Sequence, residues 1–197
     1  MSPRGVAIPE VRGELFQAAE RVLFRDGADG LTSRAITDEA GVAKGLLYNH
    51  FTDLDEFLAE LILDRTRAVA DRAAALPSLA GAGTVKANLT DAALSLLRSD
   101  AFAIAGIVHS RPSLMARLHE IGAARPSSAL DDVERAFAAY LKAEKKLGRV
   151  SADADTETIA LTLVGAVHHL FMTRRSSVAG VGKLVRRIVA ALVGPDR

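Results

Sequence analysis

The sequence contains no cysteine and no tryptophan, and only 5% of its residues are aromatic. Without thiols there is no disulfide framework, no thiolate nucleophile and no cysteine-ligated metal, which suits the reducing cytoplasm where the chain is expected to work. Long apolar runs are missing too. The best stretch, Ile159 to Met172, is interrupted by His168 and His169 and falls short of the roughly 18 residues that a membrane helix requires, so no membrane partner is expected. The N-terminus lacks the charged-then-apolar order of a secretory leader. Strand-like alternation of apolar and polar residues is also absent while alanine is abundant, and an all-α fold follows as the expectation.

Catalytic signatures are equally scarce. There is no nucleophile elbow, phosphate loop, HExxH or paired-carboxylate pattern, and no Glu is followed three residues later by a His. His168 and His169 are adjacent, so on a helix they point about 100 degrees apart and share no metal-binding face. No catalytic residue, metal or cofactor is therefore expected, and the chain is not read as an enzyme.

What stands out is Thr32 to Asp55, TSRAITDEAGVAKGLLYNHFTDLD. A short helix can begin after Thr32 or Ser33, whose hydroxyls can cap free N–H groups, with Ile36 and Ala40 on its inner face. Gly41 stops it, Val42 plugs the corner, and Lys44 to His50 forms a second short helix. Leu47 and Phe51 point inward. Lys44, Gly45, Leu46, Tyr48, Asn49 and His50 are left for faces that can touch phosphates and base edges together. The spacing predicts a helix-turn-helix.

Around it, Glu10 to Asp26 is amphipathic through Leu15, Phe16, Ala19, Val22 and Leu23, and completes a three-helix head. Phe16, Leu23, Ile36, Val42, Leu47 and Phe51 are its expected core. Asp53 caps a long helix to about Leu76, with Glu56 completing an acidic capping box. Further helices are expected over Val85 to Arg98, Ala101 to Ser110, Ser113 to Gly122, Pro126 to Lys146, Thr156 to Thr173 and Val178 to Val193. The helix from Thr156 is apolar all round, and a chain of 197 residues cannot easily cover its outer side. A second copy can, through an antiparallel four-helix interface built from the helices near 127–147 and 156–173 of each subunit.

The segment AGVAKGLLYNHF, preceded by GLTSRAI and followed by an acidic helix start, resembles the TetR family of bacterial transcriptional repressors, specifically from about Val11 to Leu61. The resemblance implies a helix-turn-helix DNA-binding domain over 1–52, with an arm at 1–9, and a helical ligand-binding and dimerisation domain over 53–197. By position, Tyr48 and His50 resemble the family's phosphate-contacting residues and Thr32 its phosphate-contacting cap. Arg34, Lys44, Gly45, Leu46 and Asn49 resemble its base-facing set. One position departs, since Leu54 stands where the family usually has Lys. The implied partners are a palindromic double-stranded DNA operator, a second copy of the chain, and a small apolar or amphipathic effector for which Phe102, His109, Met115, His119, His168 and Phe171 are candidates. The implied function is that of a ligand-responsive homodimeric repressor. A dimeric helical adaptor without DNA binding, or a helical-bundle enzyme, are the alternatives.

Charge works against DNA binding when taken bluntly. From Met1 to Glu60 six basic residues face eleven acidic ones, leaving the head at −5. Arg4, Arg12, Arg34 and Lys44 are expected to share the DNA side, which implies roughly 4 to 6 phosphates neutralised per protomer pair and a log–log salt slope of about −4 to −5.

Overall fold

Nine α-helices and two 3-10 turns make up the regular elements among the described residues of the computed structural model, with no strand among them. The described residues are 8–99, 101, 104, 106–107, 111–123, 128–173 and 180–194, with side chains from residue 11. The helices are α1 (Ile8–Asp26), α2 (Ser33–Glu39), α3 (Gly45–His50), α4 (Leu54–Ala73), α5 (Val85–Leu97), α6 (Pro112–Ala123), α7 (Ala129–Lys146), α8 (Thr156–Met172) and α9 (Val181–Val193). The 3-10 turns are Ala28–Gly30 and Leu76–Leu79.

Side-chain caps set most of the starts. Thr32, Thr84 and Ser128 accept the N–H groups of Ala35, Ala87 and Asp131 at 3.1 Å each, and Asp155 accepts those of Glu157 and Thr158 at 3.2 Å. The Ser128 cap places the start of α7 at Ala129, later than the expected Pro126. Gly180, left-handed at φ 93°, likewise moves the start of α9 from Val178 to Val181. Helix α4 ends at Ala73, short of the expected Leu76, and gives way to a 3-10 turn around Pro77, which has no N–H to continue an α-helix. The expected helix over 101–110 lies largely outside the described residues, although Ala101, Ile104 and Ile107 are buried, as its apolar sequence requires.

The chain divides into two compact units, Met1–Leu63 with Ile104–Ala124, and Asp64–Ala103 with Arg125–Arg197. The core of the first unit is built on Leu15, Phe16, Ile36, Leu47, Phe51 and Phe57. Phe16, Phe51 and Phe57 meet with ring centroids 5.0 to 6.0 Å apart, Phe51 standing edge-on to Phe57. Leu23 and Val42, expected inside, are half-buried at its rim. This unit is larger than the head drawn from the sequence. Leu114 of α6 is fully buried in it with Ile104 and Ile107. Helix α6 is tied in by Arg111, which donates to the Leu31 carbonyl at 2.6 Å, by Ser113, which donates to Asp55 at 2.6 Å, and by Arg117, which donates to Asp53 at 3.0 Å.

In the second unit α7 and α8 form a hairpin, joined across its loop by Lys142 to Glu157 at 2.7 Å and by Lys145 to the Ala154 carbonyl at 2.9 Å. Helices α5 and α9 pack on this hairpin around Leu89, Phe137, Tyr140, Leu163 and Val185. Beneath them lies one buried acid, Glu144. One of its oxygens accepts the Gly81 N–H at 3.2 Å and the other lies 3.4 Å from the Arg149 guanidinium. Asn88 donates to the Tyr140 hydroxyl at 2.9 Å and to the Ala82 carbonyl at 2.8 Å, while Arg149 reaches the Gly83 carbonyl at 2.5 Å. Burial, with Glu144 close by, pushes the Tyr140 hydroxyl up to about 12. These groups clamp the turn between α4 and α5, whose backbone has no helix or sheet to satisfy it. Glu144→Ala strands Arg149 and the Gly81 N–H together and is expected to cost about 3 kcal/mol in chemical denaturation. Glu144→Gln, which keeps one acceptor, is expected to cost clearly less.

Candidate nucleic-acid interface

Helix α3 has six residues and cannot hold itself, so its faces are set by what it buries. Leu47 is fully buried and Phe51 nearly so. The turn before it is fixed by Gly41 at φ 68°, whose N–H reaches the Asp38 carbonyl, and by the Val42 N–H bonded to the Thr37 carbonyl at 3.0 Å. Thr37, buried in α2, returns its hydroxyl to the carbonyls of Ser33 and Arg34.

The opposite face is open. Lys44, Gly45 and Asn49 are exposed, Tyr48 is 50% exposed, and Leu46 and His50 are half-buried. Leu46 lies outside the partly buried side chains that pack on the core. Ser33 and Tyr48 place their hydroxyls 2.9 Å apart, tying the outer side of α3 to the start of α2. Thr32, the α2 cap, is exposed beside them. Thr32, Ser33, Lys44, Tyr48 and Asn49 thus reach solvent around one helix-turn-helix. A Cβ on Gly45 would meet nothing within 4 Å, so nothing in the chain's own packing calls for glycine there.

The cations are distributed differently from the expectation. Arg12 does not project freely: its guanidinium lies 4.5 Å above the Phe51 ring and 3.8 Å from Glu60. Arg21 and Arg25 are both held by Glu39, at 2.7 and 2.6 Å, and these bonds keep the Glu39 carboxyl below its ordinary range. Arg34 is 80% exposed, with Asp38 one helical turn on at 3.5 Å. Arg4, in the arm, lies outside the described residues. Near α3 this leaves Lys44 and Arg34 as the exposed cations. Asp38 stands beside this candidate face, and its position four residues after Arg34 is legible in the sequence.

At the start of α4, Asp53 accepts the Glu56 N–H at 2.7 Å, and the Glu56 carboxylate bonds the Thr52 N–H, one residue earlier than the reciprocal partner of a capping box. Both carboxyls sit below their usual range. For Asp53 the main cause is the Glu56 N–H, with Arg117 assisting; for Glu56 it is the Thr52 N–H.

Of the effector candidates, Phe102 and His109 lie outside the described residues. Met115 and His119 are exposed on α6, and His168 and Phe171 are half-buried on α8. None of these four lines the cleft between α4 and α5. Among the described residues there is no grouping of His, Asp and Glu that could hold a metal, and no helix is long and apolar enough to cross a membrane.

This geometry defines a helix-turn-helix head. Residues 15–61 match the family model described as bacterial regulatory proteins, tetR family. Solved structures resemble the whole chain in fold. A candidate TetR-family transcriptional regulator from Mesorhizobium loti is 20% identical, with 96% of each chain covered and a TM-score of 0.68. The regulator FadR from Bacillus subtilis, solved in complex with stearoyl-CoA, is 16% identical over 92% of this chain and 97% of its own, with a TM-score of 0.64. A TetR-family member from Streptomyces coelicolor is 22% identical over 95% of this chain and 100% of its own, with a TM-score of 0.58. No curated protein matches the sequence. The head thus matches the TetR family over residues 15–61, and the chain has a TetR-like fold.

Two outcomes follow for the head. Asp38→Asn removes the carboxylate that competes with phosphate for Arg34, and is expected to tighten DNA binding about twofold at low salt in a fluorescence-anisotropy titration. The depressed Asp53 and Glu56 carboxyls stabilise the head fully above their unfolded values near pH 4, and that stability is lost as pH falls through the lower folded values. Thermal melts taken from pH 7 down to pH 2.5 are expected to decline through this acid range. Asp53→Asn, which still caps but does not titrate, is expected to give a shallower decline.

Proposed function

We propose that the chain is a homodimeric, effector-responsive transcriptional repressor that places α3 of each protomer in successive major grooves of a palindromic operator. The observation that carries this reading is the open face around Tyr48, kept clear over a buried Leu47 and Phe51. Gly45, which nothing in the chain's own packing calls for, leaves room in this reading for a duplex backbone to approach α3. In this reading Tyr48, His50, Thr32 and Ser33 touch phosphates. Arg34 and Lys44 suit guanine O6 and N7, Asn49 suits adenine, and Leu46 suits a thymine methyl.

Dimerisation is supported by the apolar groups that a single chain leaves outside. On α8, Leu161 is 57% and Met172 41% exposed, and on α7 Leu130 is 42% exposed. A two-fold pairing of the α7–α8 hairpins covers these positions and sets half-sites one or more helical turns apart. Responsiveness to a small molecule is supported by likeness to a regulator solved with stearoyl-CoA. By linkage, an effector that weakens operator binding is itself bound more weakly on DNA, by the same factor. The setting is the cytoplasm.

A mobility shift on DNA from upstream of the chain's own gene tests the reading. A specific band is expected for the wild type, weakened at least about tenfold by Lys44→Ala combined with Tyr48→Ala, since specific contacts are each worth roughly 1 to 3 kcal/mol. An unchanged band for that variant removes the reading, and salt-insensitive failure to bind any DNA supports a dimeric adaptor.

A further inference from the structure

Between the C-terminal half of α4 and helix α5, within the second unit, two clefts adjoin. The first, about 310 Å³, has Val69, Ala73, Leu76, Leu96 and Phe137 among its walls. The second, about 490 Å³ and more open, is lined by Arg72, Asp91, Leu94, Ser95, Arg98 and Ser99. Arg72, Asp91 and Ser95 belong to both, so the two form one groove, apolar at one end and cationic at the other.

The cationic end is incompletely satisfied. Neither Arg72 nor Arg98 has an ion-pair partner within 4.0 Å among the described residues, and the buried Ser99 hydroxyl has no hydrogen-bond partner among them. Two guanidiniums in one open cleft repel each other, and an anion between them relieves that repulsion while using their planar donor forks. Among the described lining residues Asp91 lowers the formal charge from +2 to +1, which matches one negative charge better than two. The apolar cleft lies at the small end of the range for ligand sites, room for a tail of medium length.

We propose that this groove binds an amphipathic monoanion, a carboxylate with a medium-length aliphatic tail. Its head sits between Arg72 and Arg98, and its tail lies against Val69, Leu76, Leu96 and Phe137. The regulatory meaning rests on the repressor reading above, but binding is measured without DNA.

Isothermal titration of the full chain with decanoate below its micelle concentration is expected to show saturable binding. Decanol is expected to bind at least about tenfold more weakly, and decyltrimethylammonium more weakly still. Arg72→Gln and Arg98→Gln are each expected to weaken decanoate about five- to tenfold and to leave decanol unchanged. Both positions are exposed, so the fold is retained, and an unshifted thermal melt verifies it. Asp91→Asn is expected to tighten decanoate and to admit decyl phosphate. Equal affinity for decanoate and decanol, or wild-type decanoate binding by the double arginine variant, overturns the proposal. If decanoate binds but leaves the operator complex unchanged, the groove stands and effector-responsive repression falls. If decanoate does not bind while another compound releases DNA, the reverse holds.

Discussion

The seating of Leu47 and Phe51 beneath α3 is the constraint on which the rest of the head depends. A six-residue helix has too few hydrogen bonds to form by itself, so its existence and its rotation both come from these two side chains entering the core. Once they are inside, the period of the helix leaves Tyr48 and Asn49 nowhere to go but outward. Phe51 also ends the helix in extended backbone and stands edge-on to Phe57, the first large core residue of α4. The same contact that turns the recognition face outward therefore sets where the next helix begins.

The parts of this arrangement that were legible in the sequence are those held by local spacing. Ile36, Leu47 and Phe51 lie within one or two turns of their helical neighbours, and the caps at Thr32 and Asp53 act over three residues. Glu56 belongs to the same class, although its carboxylate settles on Thr52 instead of the cap residue itself. The place of α6 was not legible. Arg111 and Leu31 are 80 positions apart, and a contact over that distance leaves no periodic trace in either segment. For the same reason Leu114 read only as part of another amphipathic helix, with nothing to say which core it would join. Nor is the seat of Arg12 legible, since a cation near a helix-turn-helix looks available until the ring beneath it is known. The polar clamp around Glu144 leaves no mark in the sequence, because a glutamate near the end of a helix usually faces water.

The candidate recognition residues were easier to read than the effector residues, for a physical reason. A docking face on a short helix is dictated by what that helix buries, and burial is written in the hydrophobic period. A cavity is the space left over after several helices have packed, so its walls come from positions that no single period marks. Arg72 and Phe137 share a wall of the α4–α5 cleft from separate helices, and only the folded chain brings them together.

The acidity of the head takes on a different meaning once partners are assigned. Glu39 is spent on Arg21 and Arg25, Glu60 meets Arg12, and Asp53 and Asp55 hold Arg117, Arg111 and Ser113. Glu56 closes the start of α4, where the helix dipole favours negative charge. Five of the eleven acids are thus structural, engaged with the α1–α2 side, with α6 or with the start of α4 rather than with the turn into α3. At physiological ionic strength charges more than about 8 Å apart are largely screened, so a charge brought to the face around α3 is felt through its near neighbours far more than through the formal sum over the head. Among the acids whose ion pairs are described around the helix-turn-helix, Asp38 stays exposed beside a cation at the candidate interface. A head of net charge −5 can therefore present a face with the local sign that a duplex requires, provided its acids are bound to its own scaffold.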